Sequence, residues 1–194
     1  MTAKKKRILA IAKHIKAIDG ALANLRRKNG TRFVVGEGNL NARIVFVGEA
    51  PGKNEAETGQ PFAGAAGRVL NELLANTQLN RKDVYITNIV NDRPPSNRDP
   101  EPEEVVHYSP FLMEQLAVIQ PKVIAPLGRI SMRFLLDQFG VAATGSIGKL
   151  HGKQFPIQAP WGEAIIAPLY HPAAAIYNPG LKPVMVEDIA GLIG

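Results

Sequence analysis

Two hydrophobic patterns alternate along the chain, one typical of buried strands and one typical of helices. Continuous apolar runs predict strands at 43–47, 84–90, 122–127 and 164–169. Apolar residues spaced three and four positions apart predict a short helix at the end of the chain and longer helices at 4–28, 64–76, 103–119 and 129–139. This alternation is typical of a mostly parallel sheet with helices on both faces. We therefore predict an α/β fold, a three-layer αβα sandwich around a four-stranded, mostly parallel sheet, in one domain over residues 1–194.

Polar and turn-forming residues follow three of these strands. The stretch GEAPGKNEAETGQPF (48–62) comes directly after the first strand, Thr87 and Asn88 lie near the end of the second, and His171 follows the fourth. Ligands of open parallel sheets bind beyond the carboxyl ends of the strands, which meet at one edge. We therefore predict that these three segments form a single site.

The side chains of these segments suit recognition of a flat polar ligand, although each also has a purely structural explanation. Glu49 and Glu55 either position a water molecule or a substrate edge, or are solvated loop acids. Phe62 either stacks on a flat ring or packs in the core. Asn88 either reads the edge of a base or caps a turn, and His171 either donates a hydrogen bond to a developing anion or is an exposed loop residue.

Composition and short motifs exclude several kinds of site. The chain has no cysteine, so it has no disulfide, no thiol nucleophile and no thiolate-held metal. Its histidines show no ligand spacing, which predicts no metal site, and the phosphate-loop and dinucleotide-binding glycine motifs are absent. No apolar run reaches the ~18 residues of a membrane span, and the composition fits a cytoplasmic protein.

The net charge of +6 permits attraction to a phosphate backbone but equally describes a solvated basic surface. Much of the excess lies in the basic runs 4–7 and 26–28, both of which are explained equally well as charged helix ends. Charge by itself therefore leaves DNA binding open.

Three longer motifs resemble those of the family 4 uracil-DNA glycosylases. They are GEAPGxxExxxGxPFxGxAG (48–67), VYITNxVxxRPPxNRDPxPEE (84–104) and YHPxxxxxNP (170–179), within a resemblance that spans roughly residues 8–180. The resemblance implies a monofunctional, monomeric enzyme that binds DNA, takes up a flipped-out uracil and hydrolyses its N-glycosidic bond. The products are free uracil and an abasic site, with no covalent DNA adduct.

The resemblance also implies catalytic and base-binding roles. Glu49 corresponds to the carboxylate that activates water or stabilises the cationic sugar, Glu55 to the residue near the C5 edge of the base, and His171 to the histidine that faces the pyrimidine O2. The residues that enclose and read uracil are Ala50, Pro51, Gly52, Phe62 and Asn88.

Candidate DNA-binding residues lie in the proline-rich loop 92–102, in the glycine-rich loop 145–155 and in the histidine motif. Glycines let a backbone lie against phosphates, and basic side chains supply charge. The candidates are Ser96, Arg98, Ser146, Lys149, His151 and Tyr177.

The chain departs from the family at the four positions whose cysteines hold an iron–sulfur cluster there. These positions carry Gly20, Ala23, Asp92 and Tyr108, so we predict a protein without that cluster and without another cofactor. Tyr108 is large enough to fill the vacated volume and to bring its hydroxyl near water or near Asp92.

The histidine motif departs from the family as well. Ala173 and Tyr177 stand where Ser and Arg are usual, and Leu169 stands where a polar residue is common. These changes leave two alternatives open, a glycosylase for another modified base and a DNA-binding relative without catalytic activity.

Overall fold

The chain forms a six-stranded sheet between layers of helices, as seen in a computed structural model that describes residues 1–193. The strands are β1 (Gly36–Gly38), β2 (Ile44–Gly48), β3 (Tyr85–Asn88), β4 (Val123–Pro126), β5 (Phe155–Ala159) and β6 (Gly162–Ile166). The helices are α1 (Ala3–Ala17), α2 (Ala21–Asn29), α3 (Lys53–Thr58), α4 (Ala65–Asn76), α5 (Pro102–Ile119), α6 (Arg129–Gln138), α7 (Ile147–Leu150), α8 (Ala174–Tyr177) and α9 (Lys182–Ala190). Within the described residues, no helix has the length and apolarity needed to cross a membrane.

Four of the strands run parallel and form the centre of the sheet. In the order β1-β3-β2-β4-β6-β5, the inner pairs are parallel, whereas β1 and β5 pair antiparallel at the two edges. The parallel strands are the four that the hydrophobic pattern predicts. The hydrophobic pattern did not predict the two edge strands, because β1 is Gly-Glu-Gly and because β5 begins inside the predicted glycine-rich loop.

Successive residues of β2 point to opposite faces of the sheet and so contact different helical layers. Val45 and Val47 share a buried cluster with residues of α5 and α6. Ile44 and Phe46 share another with residues of α4 and α9. This is the predicted αβα sandwich, and it leaves the carboxyl ends of the parallel strands at one uncovered edge.

The predicted helix 4–28 is in fact two helices, because the chain turns at Gly20. The φ angle of Gly20 is +136°, a conformation that residues with a Cβ rarely adopt. Ile11 and Ile15 of α1 pack in a cluster with Val118 of α5. α2 ends where the sequence predicts, at Gly30, which adopts the left-handed conformation that ends many helices.

Three short helices lie in segments that the sequence predicts as loops. α3 lies within 48–62, α7 lies within 145–155, and α8 follows His171. Each has six residues or fewer, which is too short for a helical period to appear in the hydrophobic pattern.

Candidate active site

A cavity of about 380 Å³ opens at the carboxyl edge of the parallel strands. Glu49 follows β2, Asn88 ends β3, and His171 comes after β6. The structure therefore brings the three polar segments to one place. Every residue predicted to act on the substrate lines this cavity: Glu49, Ala50, Pro51, Gly52, Glu55, Phe62, Asn88 and His171.

The side-chain amide of Asn88 is placed for a ligand. Asn88 is only 2% exposed, yet no side-chain hydrogen bond within residues 1–193 involves its amide. Asn88 lines the cavity, so a ligand or water there can pair with its amide. Gly48, its neighbour in the sheet, provides the room, because a Cβ there would lie 2.3 Å from Asn88 Oδ1 and 2.8 Å from Phe62 Cζ.

Phe62 belongs both to the apolar core and to the cavity wall. Its φ angle is +50°, which is uncommon for a residue with a side chain. Gly67 of α4 packs directly on its backbone, because a Cβ at Gly67 would overlap the Phe62 carbonyl. The ring centroid lies 5.8 Å from that of His171. Conformations held against local preference in this way concentrate at functional sites.

His171 presents a neutral hydrogen-bond donor. Its Nδ1 accepts a hydrogen bond of 3.2 Å from the Ala173 backbone amide, so the proton of the neutral ring is on Nε2. Burial lowers the pKa of His171 to about 4, against a smaller opposing influence from Glu55. The imidazole is therefore uncharged at pH 7, with Nε2–H as its donor.

Glu49 lies at the amino end of α6. Its Oε1 accepts a hydrogen bond of 3.3 Å from the Ile130 backbone amide. Burial raises the pKa of the Glu49 carboxyl above its usual value, and the Ile130 amide partly offsets that rise. Asp99 raises the same pKa further, and Arg129 lowers it. A weakly solvated carboxylate of this kind acts strongly on a positive charge nearby.

Glu55 joins the two ends of the loop that carries Phe62. Its Oε1 accepts a hydrogen bond of 2.8 Å from the Gly64 amide. On the other side, a Cβ at Gly52 would lie 2.8 Å from Glu55 Oε2. The carboxylate thus lines the cavity and also fixes the shape of its wall.

The candidate DNA-binding residues divide into two groups. Arg98 and Tyr177 line the cavity, and Tyr177 is 89% exposed. The Arg98 guanidinium is paired with Glu104 through contacts of 2.9 and 2.7 Å, so a phosphate has to compete with that carboxylate. The others do not line the cavity: Ser96, Ser146, Lys149 and His151.

The glycine-rich loop packs beside the histidine motif. His151 Nδ1 lies 2.7 Å from a carboxylate oxygen of Asp188 in α9. The His151 ring also lies 4.4 Å from that of Tyr170, the residue before His171. His151 therefore connects this loop to the segment that carries His171, while Ser146 and Lys149 are exposed.

Sequence reasoning missed the part of the cavity that the proline-rich loop forms. Asp99 of this loop pairs with Arg129 of α6 at 2.8 Å. Of this loop, only Ser96 and Arg98 were predicted to have a role, and that role was DNA binding rather than a part in the cavity. Besides Arg98, the loop residues that line the cavity are Pro94, Asn97, Asp99 and Pro100.

Two of the four positions at which the resemblance implies cluster-ligating cysteines, Asp92 and Tyr108, are in contact with each other in this chain, and Asp92 forms a buried ion pair with Arg26. Arg26 lies 3.0 and 2.9 Å from the two carboxylate oxygens of Asp92, and the Tyr108 hydroxyl donates to the same carboxylate over 2.6 Å. Ala23 is buried nearby in α2, and a Cβ at Gly20 would lie 3.1 Å from His107 Nε2. Arg26 is in the last turn of α2, as one interpretation of the basic run predicts, but it is only 7% exposed and so does not belong to a solvated basic surface.

These residues do not fit an iron–sulfur cluster. None of them supplies a thiolate, and the one carboxylate, Asp92, is already bound by Arg26 and Tyr108. Arg26 also donates to the carbonyl of Lys16 at the end of α1, and its guanidinium lies 5.2 Å from the centre of the Phe33 ring. The contacts of one arginine thus join α1, α2 and the first residue of the proline-rich loop, Asp92.

Comparison with known proteins places this chain in a family. The profile of the uracil DNA glycosylase superfamily matches residues 35–190. The type-4 uracil-DNA glycosylase of Archaeoglobus fulgidus is 47% identical over 162 residues, which are 83% of this chain and 80% of that protein. The type-4 enzyme of Thermotoga maritima is 45% identical over 163 residues, 83% of this chain and 81% of its own. The type-5 uracil-DNA glycosylase of Thermus thermophilus is 34% identical over 155 residues, 72% of this chain and 68% of its own. The chain therefore belongs to the uracil DNA glycosylase superfamily, together with the type-4 uracil-DNA glycosylases.

Proposed function

We propose that this protein is a monofunctional uracil-DNA glycosylase, which hydrolyses the bond between uracil and deoxyribose in DNA and leaves free uracil and an abasic site. The observation that carries the proposal is the cavity in which Glu49, Phe62, Asn88 and His171 meet. A base stacked in a duplex cannot reach these groups, so the nucleotide has to turn out of the helix.

The cavity wall matches the two recognisable features of uracil, a flat face and a polar edge. Phe62 offers a ring on which the face stacks. The Asn88 amide has both a donor and an acceptor, which suit the O4 and the N3–H of uracil. Glu55 stands where a methyl group at C5 would have to fit, which favours uracil over thymine.

The charged and polar groups suit the transition state of glycosidic hydrolysis. As the bond breaks, the sugar gains positive charge and the base leaves as an anion. The Glu49 carboxylate stabilises the sugar cation or activates the attacking water, and His171 Nε2–H donates to the pyrimidine O2. Both interactions strengthen as charge develops, so they lower the barrier rather than only tightening binding.

The lining of the cavity favours water as the nucleophile. A glycosylase that also cleaves the strand forms a Schiff base through an amine. Among the described residues that line the cavity, none is a lysine. We therefore propose hydrolysis without strand cleavage, carried out by a single chain on DNA.

The test is a cleavage assay with end-labelled oligonucleotides that carry one uracil. We expect a cut strand only after alkali treatment, release of free uracil, and no covalent adduct after borohydride reduction. Matched oligonucleotides that carry thymine or another modified base serve as controls. Excision of another base but not of uracil, or binding without cleavage, contradicts the proposal.

A further inference from the structure

Gly128 lies where three segments of the candidate site meet. It follows β4 and directly precedes α6, and its amide donates a hydrogen bond of 2.9 Å to the carbonyl of Leu169, two residues before His171. Its φ angle is +96°. The sequence offers no reason to single it out, because glycine brings no reactive group.

The two charged or polar groups of the proposed reaction lie against the α-carbon of Gly128. A Cβ built on Gly128 would be 3.0 Å from Glu49 Oε1 and 3.1 Å from the Cβ of His171. The Cδ2 of the imidazole would be 3.6 Å away. A side chain at this position would therefore be tighter than an ordinary contact on both sides, and the carboxylate or the histidine would have to shift by a few tenths of an ångström.

The turn that begins at Gly128 also holds the Glu49 carboxylate from the other side. The Ile130 amide, two residues later, donates to the same Oε1 atom that faces Gly128. This amide is in the first turn of α6, where backbone N–H groups have no partner within the helix. The absence of a side chain at Gly128 lets Glu49 approach that amide.

We propose that Gly128 is a positioning residue, which sets the placement of the Glu49 carboxylate beside His171 by offering its bare α-carbon as their common contact. The inference rests on the proposed glycosylase function and deepens it. Gly128 touches neither sugar nor base; it acts through Glu49 and His171.

The pH dependence of the excision rate distinguishes a positioning role of Gly128 from a purely structural one, because it depends on the groups that face Glu49. These groups are the Ile130 amide, Asp99 of the proline-rich loop, Arg129 of α6 and the neutral His171. The amide favours the charged form of the carboxyl. A side chain at position 128 moves the carboxylate off this amide, so the acid limb of the excision rate should shift to higher pH.

The experiment compares Gly128→Ala with Gly162→Ala under single-turnover conditions on uracil DNA. Gly162, the first residue of β6, also has a positive φ, +116°, but nothing lies within 4 Å of its added Cβ. The control therefore carries similar backbone strain without the contacts. We expect Gly128→Ala to excise uracil more slowly than Gly162→Ala, by less than the roughly 100-fold that a misplacement of about 1 Å causes, because the added Cβ requires a shift of only a few tenths of an ångström. Its affinity for uracil DNA should stay close to that of the native protein, and its acid limb should move up in pH.

Equal rates for the two variants, or a loss of rate with an unchanged acid limb, would overturn the inference. If Gly128→Ala folds poorly, measurements of Tm by thermal unfolding still test the inference. The loss of Tm caused by Gly128→Ala should be smaller in a Glu49→Ala background, because the methyl group then has space, whereas the loss caused by Gly162→Ala should be the same in both backgrounds. An equal loss of Tm for Gly128→Ala in both backgrounds contradicts the inference. Absence of excision by the native protein itself contradicts the proposed function instead, and the unfolding comparison still tests the placement.

Discussion

Replacing Arg26 with methionine removes one partner of a buried ion pair and keeps most of the side-chain volume. Arg26 is 7% exposed, and Asp92 is fully buried. Removing one partner leaves the other charge uncompensated, and such changes reduce the free energy of unfolding by about 3–5 kcal/mol. For a chain of this size, 1 kcal/mol corresponds to about 2–4 °C in Tm. We therefore expect Arg26→Met to lower Tm by about 10 °C.

The matched control is the neighbouring residue in the same helix. Arg27 pairs with Asp19 at 3.0 Å, but this pair is on the surface. Exposed pairs contribute about 0–1 kcal/mol, so Arg27→Met should shift Tm by only a few degrees. Thermal unfolding followed by circular dichroism measures both variants. A Tm loss for Arg26→Met no larger than that for Arg27→Met would refute the view that this pair holds the amino-terminal helices in place.

A double substitution separates the pair from the two single charges. Burial raises the pKa of the Asp92 carboxyl, while Tyr108 and Arg26 oppose the rise. Because burial of both charges has its own penalty, two apolar residues of similar volume can replace a buried pair with little loss. The Tm loss of Arg26→Met/Asp92→Leu should therefore be smaller than the sum of the single losses. Strict additivity would mean that the two side chains do not act as a pair.

Further predictions concern the candidate site. Glu49→Gln should reduce single-turnover excision by roughly 10²–10³-fold with DNA affinity nearly unchanged, because the charge acts on the transition state; an unchanged rate would move the role to another group. The pKa of His171 is about 4 in the folded protein, below the value of 6.5 expected for the unfolded chain. Between these two pH values the unfolded state binds more protons than the folded state. The free energy of unfolding should therefore fall as the pH drops from 6.5 towards 4. His171→Gln should flatten that dependence in a series of unfolding curves. Uracil should be released much faster than thymine, and Glu55→Ala should narrow the ratio; a ratio that does not change would remove Glu55 from base selection. DNA affinity should fall steeply with salt, and Lys149→Ala should reduce the slope of that dependence by about one unit, whereas an unaltered slope would place Lys149 outside the DNA interface.

The centre of the sheet was predictable from sequence because strands covered on both faces form nearly continuous apolar runs. β2 is an example, since all five of its residues are buried. The edge strand β1 was not predictable, because its three residues are Gly-Glu-Gly and its pairing depends on the neighbouring strand. The break at Gly20 was missed for a similar reason: the apolar spacing continues across it, and only the backbone conformation shows the turn.

The residues of the cavity were predictable where their chemistry and their place after a strand agreed, as for Asn88 and His171. Arg26 was not predictable, because arginine is rarely buried and its partner Asp92 is 66 positions away. Gly128 was missed because its role depends on the side chains that approach it. Both residues act through contacts between distant segments, which a local pattern does not record.

The most direct test of the account is a crystal structure of the Glu49→Gln variant with uracil soaked into it. We expect the base in the cavity, stacked on Phe62, with its N3–H and O4 within about 3 Å of the Asn88 amide and its O2 at a similar distance from His171 Nε2. Uracil bound at another place, or with its edge turned away from both Asn88 and His171, would contradict the claim that this cavity recognises the base.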